Sequence, residues 1–136
     1  MGVIVPPNRS QCDAALQHLV DSSDGIRAAM LALRDGRPFV ERCRSQVDCG
    51  KFAAMVSSLV ALGQTALREL GAGGLDHVLV EGRDGKLVVS SIDGSGGLLL
   101  LAVLAERDAR LGLVLGQAKT CAQAVSDAFP PAGRQA

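Results

Sequence analysis

The stretch Asp48-Cys49-Gly50-Lys51-Phe52-Ala53-Ala54-Met55-Val56-Ser57-Ser58-Leu59-Val60-Ala61-Leu62-Gly63-Gln64-Thr65-Ala66-Leu67-Arg68-Glu69-Leu70 decides how this chain is read. Val47, Asp48 and Phe52 occupy the N′, N-cap and N4 positions of a hydrophobic staple, so a helix starts here. Helical spacing gathers Phe52, Val56, Leu59, Gly63, Ala66, Leu67 and Leu70 on one face, with Met55 and Leu62 widening one flank and Val60 the other. The opposite face carries Ala54, Ser57, Ser58, Ala61, Gln64, Thr65 and Arg68, and Gly71 with Gly73-Gly74 stops the helix.

Downstream, Leu75 to Glu81, Lys86 to Ile92 and Leu98 to Leu104 are strand-like runs joined by short Gly-rich turns, which predicts an antiparallel meander. The last run is apolar at both parities, as in a central strand covered on both faces. Upstream, Ile26 to Leu33 and Pro38 to Cys43 flank Asp35-Gly36, a dipeptide suited to a tight hairpin turn. A first helix is capped by Ser10 with Asp13 and buries Cys12, Ala15, Leu16, Leu19 and Val20. A last helix runs from about Ala109 to Ala128, on Leu111, Leu115, Ala118, Ala122, Val125 and Phe129, before Pro130-Pro131. The predicted order is α-β-β-α-β-β-β-α in one domain, residues 10–129, between an N-terminal tail (1–9) and a C-terminal tail (130–136).

Composition narrows the function. The chain has 136 residues, with fourteen basic and fourteen acidic side chains, no Trp, no Tyr and three Phe. It therefore lacks both the basic excess and the aromatic platform of a nucleic-acid binder, and offers nothing to an anionic membrane. The greasiest run, Leu98 to Ala105, is far short of a membrane helix, and the Pro-broken opening does not read as a signal peptide. Cys12, Cys43, Cys49 and Cys121 form no Cys-x-x-Cys pair, which fits reduced thiols in the cytoplasm. His18 and His77 lie apart from any paired ligand motif, so no metal site is assigned.

Catalytic motifs are equally incomplete. Gly50-Lys51 and Gly85-Lys86 lack the upstream Gly and downstream Ser/Thr of a phosphate loop, and Leu99 occupies the third small position that a dinucleotide fingerprint needs after Gly94. Ser95 does not complete a nucleophile elbow. Cys12, Cys43 and Cys121 read as small core residues, while Cys49 stands at a helix N-terminus, where a thiolate gains stabilisation. No catalytic, cofactor-binding or metal-binding residue and no cofactor follows from the sequence.

From Gly25 to about Val114 the chain resembles the roadblock, or dynein-light-chain-like, family in its bacterial branch. The resemblance rests on Gly25-Ile26-Arg27-Ala28-Ala29-Met30-Leu31 with Asp35-Gly36-Arg37-Pro38, and on Phe52-Ala53-Ala54-Met55-Val56-Ser57-Ser58-Leu59. It continues through Val78-Leu79-Val80-Glu81, Gly85-Lys86-Leu87-Val88-Val89, Leu99 to Leu104 and Leu111-Gly112-Leu113-Val114. Two local departures stand out. Lys86 replaces a common aromatic, and Ala109-Arg110-Leu111 replaces a common Ala-Asn-Leu.

The resemblance implies an α/β fold of the profilin-like sandwich type: a five-stranded antiparallel sheet with the long helix on one face and the terminal helices on the other. It also implies a non-enzymatic homodimer that binds and regulates a small Ras-like GTPase, as scaffold or activating partner, with a sensor-kinase-like protein as a further member of such systems. On this reading the partner face is Ala54, Ser57, Ser58, Ala61, Gln64, Thr65 and Arg68. The homodimer interface is Met55 and Leu62 with the strand-edge residues Leu75, His77 and Leu79. The alternative is a ligand-sensing module, which would need an enclosed pocket with convergent polar groups; the predicted Leu, Val and Ala core offers none.

Overall fold

Residues Leu99–Glu106 form the strand on which everything else is laid. In the computed structural model, which describes residues 6–44 and 46–130, every side chain from Leu99 to Val103 is buried. Eight elements follow in sequence: α1 (Arg9–Asp21), β1 (Ile26–Leu33), β2 (Pro38–Cys43), α2 (Cys49–Glu69), β3 (Val78–Glu81), β4 (Gly85–Ser91), β5 (Leu99–Glu106) and α3 (Leu111–Asp127). The strands pair antiparallel in the order β2-β1-β5-β4-β3. This is the predicted element order and sheet.

Strand pleating sends alternate residues to opposite faces, and β5 uses both. Leu99, Leu101, Val103 and Ala105 enter a core shared with Leu16 and Leu19 of α1 and Val114 and Val125 of α3. Leu100 and Ala102 enter a second core with Met30 of β1 and Phe52, Val56 and Val60 of α2. A register shift between Ile26 and Ala28 lets Ile26 and Ala29 share the α1/α3 layer. Two of the turns use glycine at positive φ, Gly36 at 93° and Gly94 at 80°.

Several boundaries differ from the sequence reading, each for a local reason. The cap of α1 is Asn8, whose side chain accepts from the Gln11 amide at 3.0 Å; the Ser10/Asp13 box is not the start. Asn8 is also held by its own amide donating to the Ala128 carbonyl, 3.0 Å away, so Asn8 and Arg9 belong to the folded body. Of the remaining tail positions, 1–5 and 131–136 lie outside the described residues. β3 begins at Val78 rather than Leu75. Asp48 caps α2 as expected, accepting from the Lys51 amide.

α3 begins at Leu111, and its N-cap, Arg110, makes no side-chain capping bond. Lys86 instead secures the approach to this helix, its Nζ donating to the carbonyls of Arg107 (2.9 Å) and Ala109 (2.7 Å). The free amides at the start of α3 are thus left without the oxygen that an Asn would bring. Arg110→Asn is expected to raise unfolding stability by about 1 kcal/mol. A chemical denaturation midpoint at or below wild type would contradict this.

Cys12 and Cys121 take the core positions expected of them, whereas Cys43 and Cys49 do not behave as their sequence positions suggest. Cys12 and Cys121 are buried between α1 and α3, with the Cys121 Sγ donating to the Ala15 carbonyl at 3.6 Å. Cys43, in contrast, is exposed and is no core residue. Burial, then Cys43 and Glu41, push the Cys49 thiol up to about 11, overriding the helix N-terminus that would favour a thiolate. Burial pushes Cys121 up to about 12, with Cys12 adding to it. The sign follows directly: from pH 9.0 upward the unfolded chain loses thiol protons that the native protein keeps, so stability falls from there to about 12. Stability measured against pH should decline across that window, and the slope should flatten in a Cys49→Ser/Cys121→Ala variant; an unchanged slope would refute the assignment.

Candidate functional site

The outward surface of α2 is set by how the helix is rotated on the sheet. Its buried side chains are Phe52, Ala53, Val56 and Val60, a line turned toward Val60 relative to the predicted one. Small residues decide this rotation. Ala53 is fully buried, and a Cβ on Gly63 would lie 3.3 Å from Val78 Cγ2 and 3.5 Å from Leu75 Cδ1. The predicted buried residues Leu59 and Leu67 are only half-buried, and Ala66 and Leu70 are exposed, Leu70 at 79%.

The same rotation redistributes the predicted partner face. Ala54, Ser58, Ala61, Thr65 and Arg68 are exposed. Ser57 and Gln64 are not free: the Ser57 hydroxyl donates to the Arg34 carbonyl, and the Gln64 Oε1 accepts from Arg34 Nη1 at 3.1 Å. Arg34 is itself fixed by its Nε donating to the Gly97 carbonyl at 2.7 Å. These two residues form the inner border of the face, tied to the β1–β2 turn. In that turn the Arg37 guanidinium, 2.7 Å from the Asp35 carboxylate, holds Asp35 below the ordinary carboxylate range.

Met55 and Leu62 stand beside Ser58 on the solvent side, 59% and 69% exposed. The hydroxyls of this surface are satisfied inside the helix, Ser58 donating to the Ala54 carbonyl (3.1 Å) and Thr65 to the Ala61 carbonyl (2.9 Å). From Ala54 to Ala66, about 18 Å along the axis, the outer face is therefore small or apolar, with charge confined to Lys51, Arg68 and Glu69 at its ends.

The predicted strand-edge set does not form one stripe. Leu75 packs into the α2-side core, Leu79 into the α1/α3-side core, and His77 is exposed ahead of the strand. Sequence reasoning missed Val80, which shares the α2 side with Val78 and is 44% exposed. Its alternation with Leu79 was the available signal. Ser95 is a loop staple: its buried Oγ donates to the Ile92 carbonyl (2.7 Å) and accepts from the Leu99 amide (3.3 Å). Among the described residues, no group of three or more His, Cys, Asp or Glu could hold a metal ion, and no helix is long and apolar enough to cross a membrane.

Comparison with known proteins agrees with this architecture. The chain matches the family model of the Roadblock/LC7 domain over residues 13–105. An uncharacterized protein of Methanocaldococcus jannaschii is 28% identical over 120 residues, covering 88% of this chain and 98% of that protein. The Roadblock/LC7 domain from Streptomyces avermitilis superposes with a TM-score of 0.76 at 26% identity, over 85% of this chain and 94% of that one. The gliding protein MglB from Thermus thermophilus superposes with a TM-score of 0.79 at 19% identity, over 94% of this chain and 95% of that one. With the element order, the sheet and the match over more than half its length in agreement, the chain belongs to the Roadblock/LC7 domain family.

Proposed function

We propose that the protein is a non-enzymatic, cytoplasmic homodimeric adaptor that binds and regulates a Ras-like small GTPase through the outer face of α2. The observation that carries this reading is the exposed, uncharged surface from Ala54 to Ala66, with Met55 and Leu62 more than half open to solvent. Burying a Leu or Met side chain is worth about 1.5–3 kcal/mol, so leaving both outside forgoes stabilisation that an assembly recovers.

The face divides naturally in two. Met55 and Leu62 lie on the flank toward Val80, and a second copy of α2 packed there covers them. Ala54, Ser58, Ala61, Thr65 and Arg68 lie on the other flank, bordered by the fixed Ser57 and Gln64. Small side chains let another backbone approach closely and lose little rotamer freedom on docking. An effect on GTP hydrolysis would come from preferential binding to one conformation of the GTPase's own switch loops. The likeness to a gliding protein supports a bacterial motility or polarity system as the setting, with a sensor-kinase-like protein as a further component.

The two halves are separable by mutation. Leu62→Glu should give a monomer by light scattering at micromolar concentration, with helical content retained; a persistent dimer would remove α2 from the seam. Ser58→Arg and Ala61→Glu should keep the dimer and weaken pull-down of the Ras-like GTPase encoded nearest by at least about tenfold, a loss of about 1.4 kcal/mol. Wild-type binding by both variants would make this a plain solvent face.

A further inference from the structure

A second region stands apart from α2, in the opposite layer at the short end of the sheet. The β3–β4 ladder stops at the pair Val78–Val89, whereas β4 continues against β5 as far as Ser91 opposite Leu100. The phase of β4 is fixed by two bonds: the Gly85 carbonyl accepts from Gly82 on the β3 side, and the Ile92 amide donates to Leu99 on the β5 side. Alternation then points the backbone of residues 85, 87, 89 and 91 toward β3. Ser91 therefore directs its N–H and C=O into the place that β3 has vacated. Among the described residues no loop or side-chain bond reaches them. Half-buried backbone groups without a protein partner call for water or a ligand.

That vacancy opens into a cleft of about 480 Å³ between β4 and α3, within the size range of small-molecule sites. Its floor is apolar, made by Val88 of β4 and by Leu115, Ala118 and Ala122 of α3. Its rim carries charge of both signs: Lys119 from α3, Asp93 after β4, and Asp76 with His77 before β3. None of these four groups is in an ion pair among the described residues. A phosphate would meet two carboxylates here, and a simple cation would meet Lys119. The complement of the whole set is a molecule with one carboxylate, one ammonium and an aliphatic body.

We propose that this cleft binds a free aliphatic α-amino acid of the leucine type. Lys119 takes the carboxylate, Asp76 and Asp93 take the ammonium, the side chain lies on Val88 and Ala118, and the Ser91 backbone supplies a donor and an acceptor. The inference goes beyond the adaptor reading and does not rest on it, since none of these residues lies on α2. A ligand held at Asp76 would also steady Leu75, which packs under Gly63 of α2, and so link occupancy to the α2 face.

The test is a titration of the isotopically labelled full chain, followed by amide shifts. L-leucine should produce saturable shifts at Ser91, Asp93 and Lys119 with Kd of about 1 mM or tighter. Lys119→Ala should weaken leucine at least tenfold (about 1.4 kcal/mol) and leave 3-methylbutylamine, which has no carboxylate, unaffected. Asp93→Asn should weaken leucine but not 4-methylpentanoate, which has no ammonium. The proposal is overturned by the absence of saturable shifts up to about 10 mM, by leucine binding as tight as wild type in both variants, or by tighter binding of the dipeptide leucyl-alanine.

Discussion

A strand that is apolar at both parities must be covered twice, and β5 imposes that requirement on the whole chain. Leu99, Leu101 and Val103 need one layer and Leu100 and Ala102 the other. The two layers are not equally supplied. Five strands at about 4.8 Å spacing span roughly 20 Å, about twice the 10–12 Å width of a helix. One face receives two helices, α1 and α3, and the other receives α2 alone. A single helix leaves the flanks of its layer open, which is why Val80 and the outer leucines of α2 remain in solvent, whereas two helices share the covering of the other face.

The element order was legible because each signal was local. Asp48 capped what it was expected to cap, Asp35-Gly36 turned the first hairpin, and the two-sided β5 announced a central strand. What local signals could not supply was rotation. Apolar residues on α2 cover so wide an arc that several core directions satisfy the pattern, and the choice fell to close approach. Ala53 and Gly63 let the helix settle with Val60 inward, and Leu59, Leu62 and Leu70 were turned outward as a result.

The candidate site shows the same division. Exposure of Ala54, Ser58, Ala61, Thr65 and Arg68 follows from helical spacing, but the withdrawal of Ser57 and Gln64 does not. Both are bound by Arg34, separated from them by 23 and 30 residues, and no periodicity encodes that contact. The start of β3, at Val78 and not Leu75, differs for a related reason. Leu75, His77 and Leu79 alternate like a strand, yet the space beside Gly63 draws Leu75 out of the ladder, and the vacated edge becomes the cleft at Ser91. Cys49 likewise depends on its surroundings: burial with Cys43 and Glu41 outweighs the helix terminus.

The chemistry of the α2 face also constrains how any partner engages it. The Ser58 and Thr65 hydroxyl protons are already donated within the helix, so docking there strands no hydroxyl donor, and only their acceptor oxygens exchange water for a partner. Its charges stand only at the ends, and the chain as a whole is neutral, so there is little long-range field to steer an encounter. On the proposed docking mode, association on such a surface would fall in the unsteered range, about 10⁵–10⁶ M⁻¹s⁻¹, and change little with ionic strength. Affinity, on the same proposed mode, would reside in how long the complex lasts, with close packing over Ala54, Ser58 and Ala61 setting it. On that docking mode a bulky side chain at any of these positions would act on dissociation, whereas salt would be felt only through the charged ends of the face, where Lys51, Arg68 and Glu69 stand.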